Sequence, residues 1–170
     1  MSSAMNSRKL RNRCRTLVDA LDLPVPFDAG ELCRRVGAAR GRQIHLRPLA
    51  MPAGGPCGMW VSADAGDFIF YERHTSGLHQ EHIVVHELGH LLSDHASTAA
   101  APELARLLMP SLDPNLVRRV LGRTHYTDVE EQEAELIASL ILQRANRHHR
   151  APADATDLDG RLRGSFEPRT

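Results

Sequence analysis

The sequence predicts an α+β fold in which a small antiparallel sheet packs among five to six helices. Two patterns support this prediction. Before residue 37 and after residue 76, apolar residues recur at intervals of three and four, as on one face of a helix. Between residues 44 and 71 they alternate with polar residues, as in half-buried strands. At 170 residues, with 42% hydrophobic and 25% charged residues, the chain is typical of one globular domain.

Turn and capping residues define the elements of the N-terminal half. Pro24 and Pro26 end the first helix, because proline lacks a backbone donor and restricts the residue before it. Asp28 is placed to cap a second helix, and Gly37 stands where a C-terminal glycine belongs. The turn at 64–67 joins two strands as a hairpin. The predicted elements are helices over 7–21 and 29–36, and strands over 44–49, 59–62 and 68–71.

The C-terminal half is predicted to be helical and then disordered. Apolar residues continue at helical spacing for four turns after Ser76, and two short helices follow over 102–109 and 114–121. A longer helix over 128–147 turns its small and branched residues inward. The chain therefore divides into an N-terminal helical segment (1–42), a core (43–147) and a polar tail (148–170) that is predicted to be disordered.

Composition excludes several classes of function. Lys and Arg number 21 and Asp and Glu number 21, a balance that argues against a nucleic-acid binder acting through a basic field. No apolar run approaches the ~18 residues that a membrane span needs. Residues 1–15 have no apolar core, so no signal peptide is predicted and a cytoplasmic protein is expected. The three cysteines form no Cys-x-x-Cys pair, which argues against a zinc knuckle or a redox dithiol.

The strongest motif is His86-Glu87-Leu88-Gly89-His90, an H-E-x-x-H sequence in the middle of the most apolar predicted helix. Residues four apart lie on one helical face, so both imidazoles can reach a single metal ion. Glu87 is placed to act as general base toward a water at that metal. Gly89 would let a neighbouring backbone approach closely. The alternative interpretation is a core helix capped by two histidines.

A catalytic zinc needs a third protein ligand and an open fourth position. The class H-E-x-x-H-x-x-G-x-x-H is excluded, because Ser93 and Ala96 stand at the positions of its glycine and third histidine. Another class takes a glutamate from a later helix, and the dense supply of glutamates here lies over 130–135.

Helical periodicity reduces the candidates for the third ligand to two glutamates but does not choose between them. Glu130 and Glu131 lie on or near the inward face of the helix, whereas Glu133 and Glu135 fall at its edge or outside it. Periodicity alone does not choose between Glu130 and Glu131. The alternative for the whole cluster is a solvated acidic first turn that the helix dipole stabilises.

These motifs resemble the ImmA/IrrE family of cytosolic zinc metallopeptidases, which cleave repressor-type transcription regulators. The resemblance covers about residues 43–142 and rests on a strand, a helix with H-E-L-G-H-L-L and a later helix with E-x-x-A-x-x-x-A over 131–138. In the family the metal glutamate stands three residues before the first small residue of that last pattern. Here that residue is Glu131, with Glu130 in reserve. The chain departs from the family at Glu135, where asparagine is frequent.

The resemblance implies a zincin-like metallopeptidase core over 43–147 and a Zn²⁺ ion held by His86, His90 and Glu131. It also implies a protein substrate, a helix-turn-helix regulator, with no direct contact to nucleic acid or membrane. The rival hypothesis is a non-catalytic metal-binding regulatory or toxin–antitoxin partner protein. Such a protein needs the ligands but has no need of Glu87, so the presence of Glu87 favours a zinc-dependent endopeptidase.

Further candidates depend on position alone. His82 lies one turn before the motif and is a candidate for lining the cleft, or is simply exposed. His125 and Tyr126 are candidates for hydrogen bonds to the oxyanion that forms when water attacks an amide. Asp94 and His95 either orient a ligand imidazole or merely end the helix.

The strand over 68–71 precedes the motif helix and is a candidate for holding an extended substrate by backbone pairing. This role requires that one edge of the strand remain open.

Overall fold

The computed structural model describes residues 2–50, 56–63, 66–95 and 126–149. Within these ranges the fold is α+β, as predicted, with four helices and one three-stranded sheet. In chain order the elements are α1 (Ser2–Asp19), α2 (Ala29–Arg40), β1 (Ile44–Leu49), β2 (Gly58–Ala63), β3 (Gly66–Glu72), α3 (Gly77–Leu92) and α4 (Asp128–His149).

Part of the prediction falls outside these ranges. The short helices predicted over 102–109 and 114–121 and the tail beyond His149 lie outside the described residues. The last described helix, α4, extends two residues past the predicted end at residue 147. No helix in the described part of the chain is long and apolar enough to cross a membrane.

The sheet is mixed, which corrects the predicted antiparallel sheet. Its strand order is β1-β3-β2. The predicted hairpin is confirmed, with β2 antiparallel to β3 and Trp60 opposite Ile69. The first strand instead pairs with β3 in parallel, with Ile44 opposite Asp67. Alternating polarity identifies a strand but carries no information about the direction of its partner, so the sequence pattern could not separate the two arrangements.

The second helix is longer than predicted. Asp28 caps it as expected, since its carboxylate accepts a hydrogen bond from the backbone N–H of Glu31 at 2.6 Å. The helix continues through Gly37 to Arg40, and Gly41 takes the left-handed C-terminal position with φ of 65°. Gly37 is instead buried where the chain returns toward β1, and a Cβ there would lie 2.7 Å from the carbonyl oxygen of Arg42. Close approach, not helix termination, explains this glycine.

All four helices and the sheet contribute side chains to one apolar core. Helix α3 contacts β2, β3 and α4, and α4 contacts α1 on another side. This arrangement places α3 between the sheet and α4. The largest side chains with almost no exposure include Leu32, Ile69, Leu88, Leu91, Ile137 and Ile141.

Candidate metal centre

The motif helix α3 is held by its apolar side. Val85, Leu88 and Leu91 are completely buried. At its start the hydroxyl of Ser76 accepts a hydrogen bond from the backbone N–H of His79 at 3.3 Å. With the helix fixed by this burial, His86 and His90 project on one side, the first partly exposed and the second buried.

Three side chains converge at this position, two from α3 and one from α4. The Nε2 atoms of His86 and His90 are 3.2 Å apart. The carboxylate oxygens of Glu131 lie 3.3 Å from His86 Nε2 and 3.6 Å from His90 Nε2. The three residues form a group whose ligand atoms all lie within 4.8 Å of one another.

The spacing of these atoms fits a tetrahedral metal ion. Two donors at zinc-ligand distances are about 3.3–3.5 Å apart when the ion is tetrahedral. The three observed separations bracket that value. Two imidazoles and one carboxylate are also a donor set that zinc uses in catalytic sites. An open depression lined by His86, Glu131, Gln132, Glu135, Leu136 and Ser139 adjoins the group. The residues present therefore fit a zinc ion.

The close crossing of α3 and α4 brings Glu131 to the histidines. Ala134 and Ala138 of α4 are fully buried. A Cβ on Gly89 would lie 2.9 Å from the carbonyl oxygen of Ala134 and 3.0 Å from its Cα. The predicted close approach at Gly89 is thus confirmed, and Glu131 lies one turn before the contact point.

Gly89→Ala is expected to destabilise the protein. The new methyl group would clash with backbone atoms of Ala134, which can move only if the whole of α4 shifts. Overpacking of this kind costs about 1–3 kcal/mol, whereas the gain in helix propensity is about 1 kcal/mol. Urea unfolding of the metal-free protein measures the net effect. Gly77→Ala is the control, since nothing lies within 4 Å of a Cβ at that position of the same helix. Equal stability of the two variants would contradict the close crossing.

Glu130, the reserve candidate for the third ligand, forms hydrogen bonds with Thr127 at the N-terminus of α4. Its Oε2 accepts hydrogen bonds from the backbone N–H and the hydroxyl of Thr127, at 2.8 and 2.9 Å. The backbone N–H of Glu130 in turn donates to the Thr127 hydroxyl at 3.3 Å. This reciprocal pattern is a capping box. The structure therefore groups Glu131, and not Glu130, with the two histidines.

Glu87 is buried between α3 and the sheet. Its carboxylate accepts a hydrogen bond from the backbone N–H of Trp60 in β2. Gly58 of β2 packs against it so closely that a Cβ there would lie 2.9 Å from Glu87 Oε1. Oε2 is buried and has no hydrogen-bond partner among the described residues. A buried carboxylate oxygen without a partner is costly, and a water or ligand beside it would satisfy it.

Burial shifts the pKa values of two site residues in opposite directions. The pKa of Glu87 is raised to about 8, first by burial and then by the negative charge of Glu131. The pKa of His90 is lowered to about 3, first by burial and then by the neighbouring rings of His86 and His95. His90 is therefore held neutral, the form in which an imidazole binds a metal ion.

His82 and Glu135 border the site on its exposed side. Glu135 Oε2 lies 3.3 Å from Nδ1 of His86 and 3.3 Å from Nε2 of His82. His82 is thus brought to the site through a shared carboxylate. Glu135 was predicted to lie at the edge of the inward face or outside it, and it is half exposed there.

Asp94 and His95, which were given the same two possible roles from the sequence, have different surroundings at the end of α3. His95 is buried and its Nδ1 lies 3.0 Å from Nδ1 of His90. Asp94 adopts φ of 52° and pairs with Arg40 at the surface, so it lies at the end of the helix and is directed away from His90. Glu133 is buried against His95, with Oε2 3.2 Å from His95 Nε2. Glu133 was predicted to lie at the edge of the inward face or outside it, and it is nevertheless buried, because α1 covers this side of α4.

Tyr126 reaches the site through its ring. It stacks on His90 with 3.5 Å between ring centroids and 10° between planes. Among the described residues, Tyr126 is the third ring in contact with His90, after His86 and His95, and the sequence pattern did not predict this stacking. His125, the other candidate for contacting the oxyanion, lies outside the described residues.

The strand next to Glu87 is β2, which corrects the choice of 68–71 as the substrate strand. Residues 68–71 lie in β3, which pairs on both sides and has no open edge. The backbone N–H of Glu72 donates to the carbonyl of Cys57 at 2.9 Å. Because bonded pairs alternate along an antiparallel ladder, the backbone groups of Gly58, Trp60 and Ser62 point away from β3.

Comparison with known proteins gives no match to a family model, to a curated protein or to a solved structure. The chemistry of the site therefore carries the functional argument.

Proposed function

We propose that this protein is a zinc-dependent endopeptidase with a zincin-like core, whose metal ligands are His86, His90 and Glu131. The proposal depends mainly on the position of the Glu87 side chain. It is a buried carboxylate beside the ligand group, and its Oε2 lacks a partner among the described residues. A metal site that served only structure would gain nothing from such a group, whereas hydrolysis requires a base at this position.

Zinc at the site would supply a Lewis acid that polarises the scissile carbonyl and lowers the pKa of a bound water toward 7. Glu87 then moves the proton. As the water oxygen bonds to the carbonyl carbon and the C–N bond breaks, its carboxylate accepts one proton and passes it to the departing amine.

The edge of β2 offers a way to hold the substrate. The backbone groups of Gly58, Trp60 and Ser62 point away from β3, and β2 lies at the edge of the sheet in the described part of the chain. An extended peptide that added to this edge would run beside Glu87, which already accepts the N–H of Trp60. Backbone pairing accepts a segment from the middle of a chain, which is what an endopeptidase needs.

The substrate class follows from the resemblance to the ImmA/IrrE family. It indicates a helix-turn-helix transcription regulator, cleaved in the cytoplasm. The protein contacts this regulator directly and not its DNA or a membrane. The equal numbers of basic and acidic residues are consistent with that choice.

The test is the metal dependence of cleavage. The purified protein is expected to carry about one zinc ion per chain. Chelation should stop the cleavage of the helix-turn-helix regulator encoded nearest to its gene, and added zinc should restore it. Gel electrophoresis and mass spectrometry detect the regulator fragments. Magnesium is the control ion, and it should not restore cleavage because it prefers oxygen ligands to imidazole nitrogens.

Two results would contradict the proposal. Wild-type protein purified without chelator and free of metal would eliminate the metal site. A zinc-loaded protein that binds and regulates the partner without cutting it would be a non-catalytic metal-binding regulatory or toxin–antitoxin partner.

A further inference from the structure

A chain of buried polar side chains leads away from the metal centre, and none of its members lines the open depression. Nδ1 of His90 lies 3.0 Å from Nδ1 of His95, and Nε2 of His95 lies 3.2 Å from Oε2 of Glu133. Nε of Arg13, on α1, lies 3.3 Å from Oε1 of Glu133. His90, His95 and Glu133 are 0%, 8% and 4% exposed.

The charge at the far end sets the direction of every hydrogen bond in this chain. Glu133 forms an ion pair with the partly exposed Arg13, without a hydrogen bond between them. As a carboxylate it can only accept, so Nε2 of His95 must carry the proton and donate to it. In the neutral ring Nδ1 of His95 is then an acceptor, and Nδ1 of His90 must donate to it. The remaining nitrogen of His90, Nε2, keeps its lone pair. That is the atom that faces His86 and Glu131.

We propose that His95 and Glu133 are positioning residues that fix His90 in the tautomer and ring orientation required for metal binding. The proposal rests on the proposed metal site and adds to it a buried relay, His90–His95–Glu133, that ends at Arg13. With the opposite polarity, the lone pair of His95 Nε2 would face the carboxylate of Glu133, and His90 Nε2 would carry a proton where the metal belongs.

The relay ties three helices to one ligand. His90 and His95 lie on and just after α3, Glu133 lies on α4, and Arg13 lies on α1. Arg13 also donates to the carbonyl oxygen of Ser93 at 3.4 Å, next to the end of α3. The N-terminal helix is therefore part of the support of the metal centre. His86 differs, because its Nδ1 is met by the half-exposed carboxylate of Glu135.

Two substitutions at one position separate positioning from packing. His95→Phe keeps a ring of similar size but has no atom to accept from His90 or donate to Glu133. His95→Gln keeps both functions, because its carbonyl oxygen accepts and its amide donates. Zinc affinity, measured by competition with a chromophoric chelator, is expected to fall about 10–100-fold in His95→Phe. His95→Gln should recover most of it.

A second measurement needs no metal, and its first result comes from the wild type alone. Nitrogen-15 chemical shifts of the histidine rings in the metal-free protein, at a pH where the imidazoles are neutral, report which nitrogen of His90 carries the proton. We expect Nδ1 in the wild type, and a shift of population toward Nε2 in His95→Phe. Thermal unfolding of the metal-free variants provides the check on folding.

The outcomes are distinct. A proton on Nε2 of His90 in the wild type would overturn the relay, as would wild-type zinc affinity in His95→Phe. If His95→Phe does not fold, the wild-type tautomer and the affinity of His95→Gln decide the question. A wild type that has the expected tautomer but binds no zinc would refute the proposed function while leaving the relay in place.

Discussion

Glu87→Gln is expected to reduce hydrolysis of the regulator by at least ~100-fold, the lower range for loss of a general base. The amide keeps the shape of the side chain and an oxygen that can accept from Trp60, but it cannot take a proton from the attacking water. Zinc content should remain at about one ion per chain. Folding should also survive, since the amide matches the shape of the carboxyl group and keeps the contact with Trp60.

The control for this variant is Glu81→Gln, the same substitution on the same helix and outside the ligand group. It should cleave the regulator as the wild type does. The rates are measured as fragment formation with purified, zinc-loaded proteins. If Glu87→Gln cleaves as fast as Glu81→Gln, Glu87 is not the base, and the central argument for an enzyme fails.

Glu131→Ala and His90→Ala are expected to lose most of their zinc. Removal of a direct ligand leaves two, and the loss of affinity should exceed the ~10–100-fold that removal of an outer hydrogen-bond partner costs. Metal content after gel filtration, determined by mass spectrometry, gives the result.

Glu130→Ala is the matched control for the ligand variants, because it removes the neighbouring glutamate of the same helix. It should keep its zinc and lose only the capping box, at a cost of about 1 kcal/mol in stability. Zinc lost by Glu130→Ala and retained by Glu131→Ala would show that the ligand had been placed one residue too far along the chain.

The choice between Glu130 and Glu131 as the third ligand could not be made from the sequence. Glu130 and Glu131 lie on opposite flanks of the inward face of α4, so helical periodicity could not decide between them. The choice depends on which side of the Gly89–Ala134 contact the histidines occupy, and that is a property of the helix crossing. The capping box with Thr127 was legible as Thr-x-x-Glu, and it was the one local signal that could have assigned Glu130.

The burial of Glu133 could not be predicted, for a different reason. Its position at the side of α4 predicts exposure only if nothing covers that side. Helix α1 packs there and buries it, with Arg13 at one carboxylate oxygen and His95 at the other. A helical wheel contains no information on which further helix adds to a flank, so the pattern could not reveal this contact.

The sequence by itself determined those features that depend on local spacing. The α+β class, the β2–β3 hairpin and the juxtaposition of His86 and His90 all follow from periodicities of 3.6 and 2 and from turn residues. The tertiary structure alone decided the parallel pairing of β1, the edge position of β2 next to Glu87, the approach of Glu131 and the relay through His95. These features join segments far apart in the chain, and their geometry is set by how buried surfaces pack together, which no local pattern encodes.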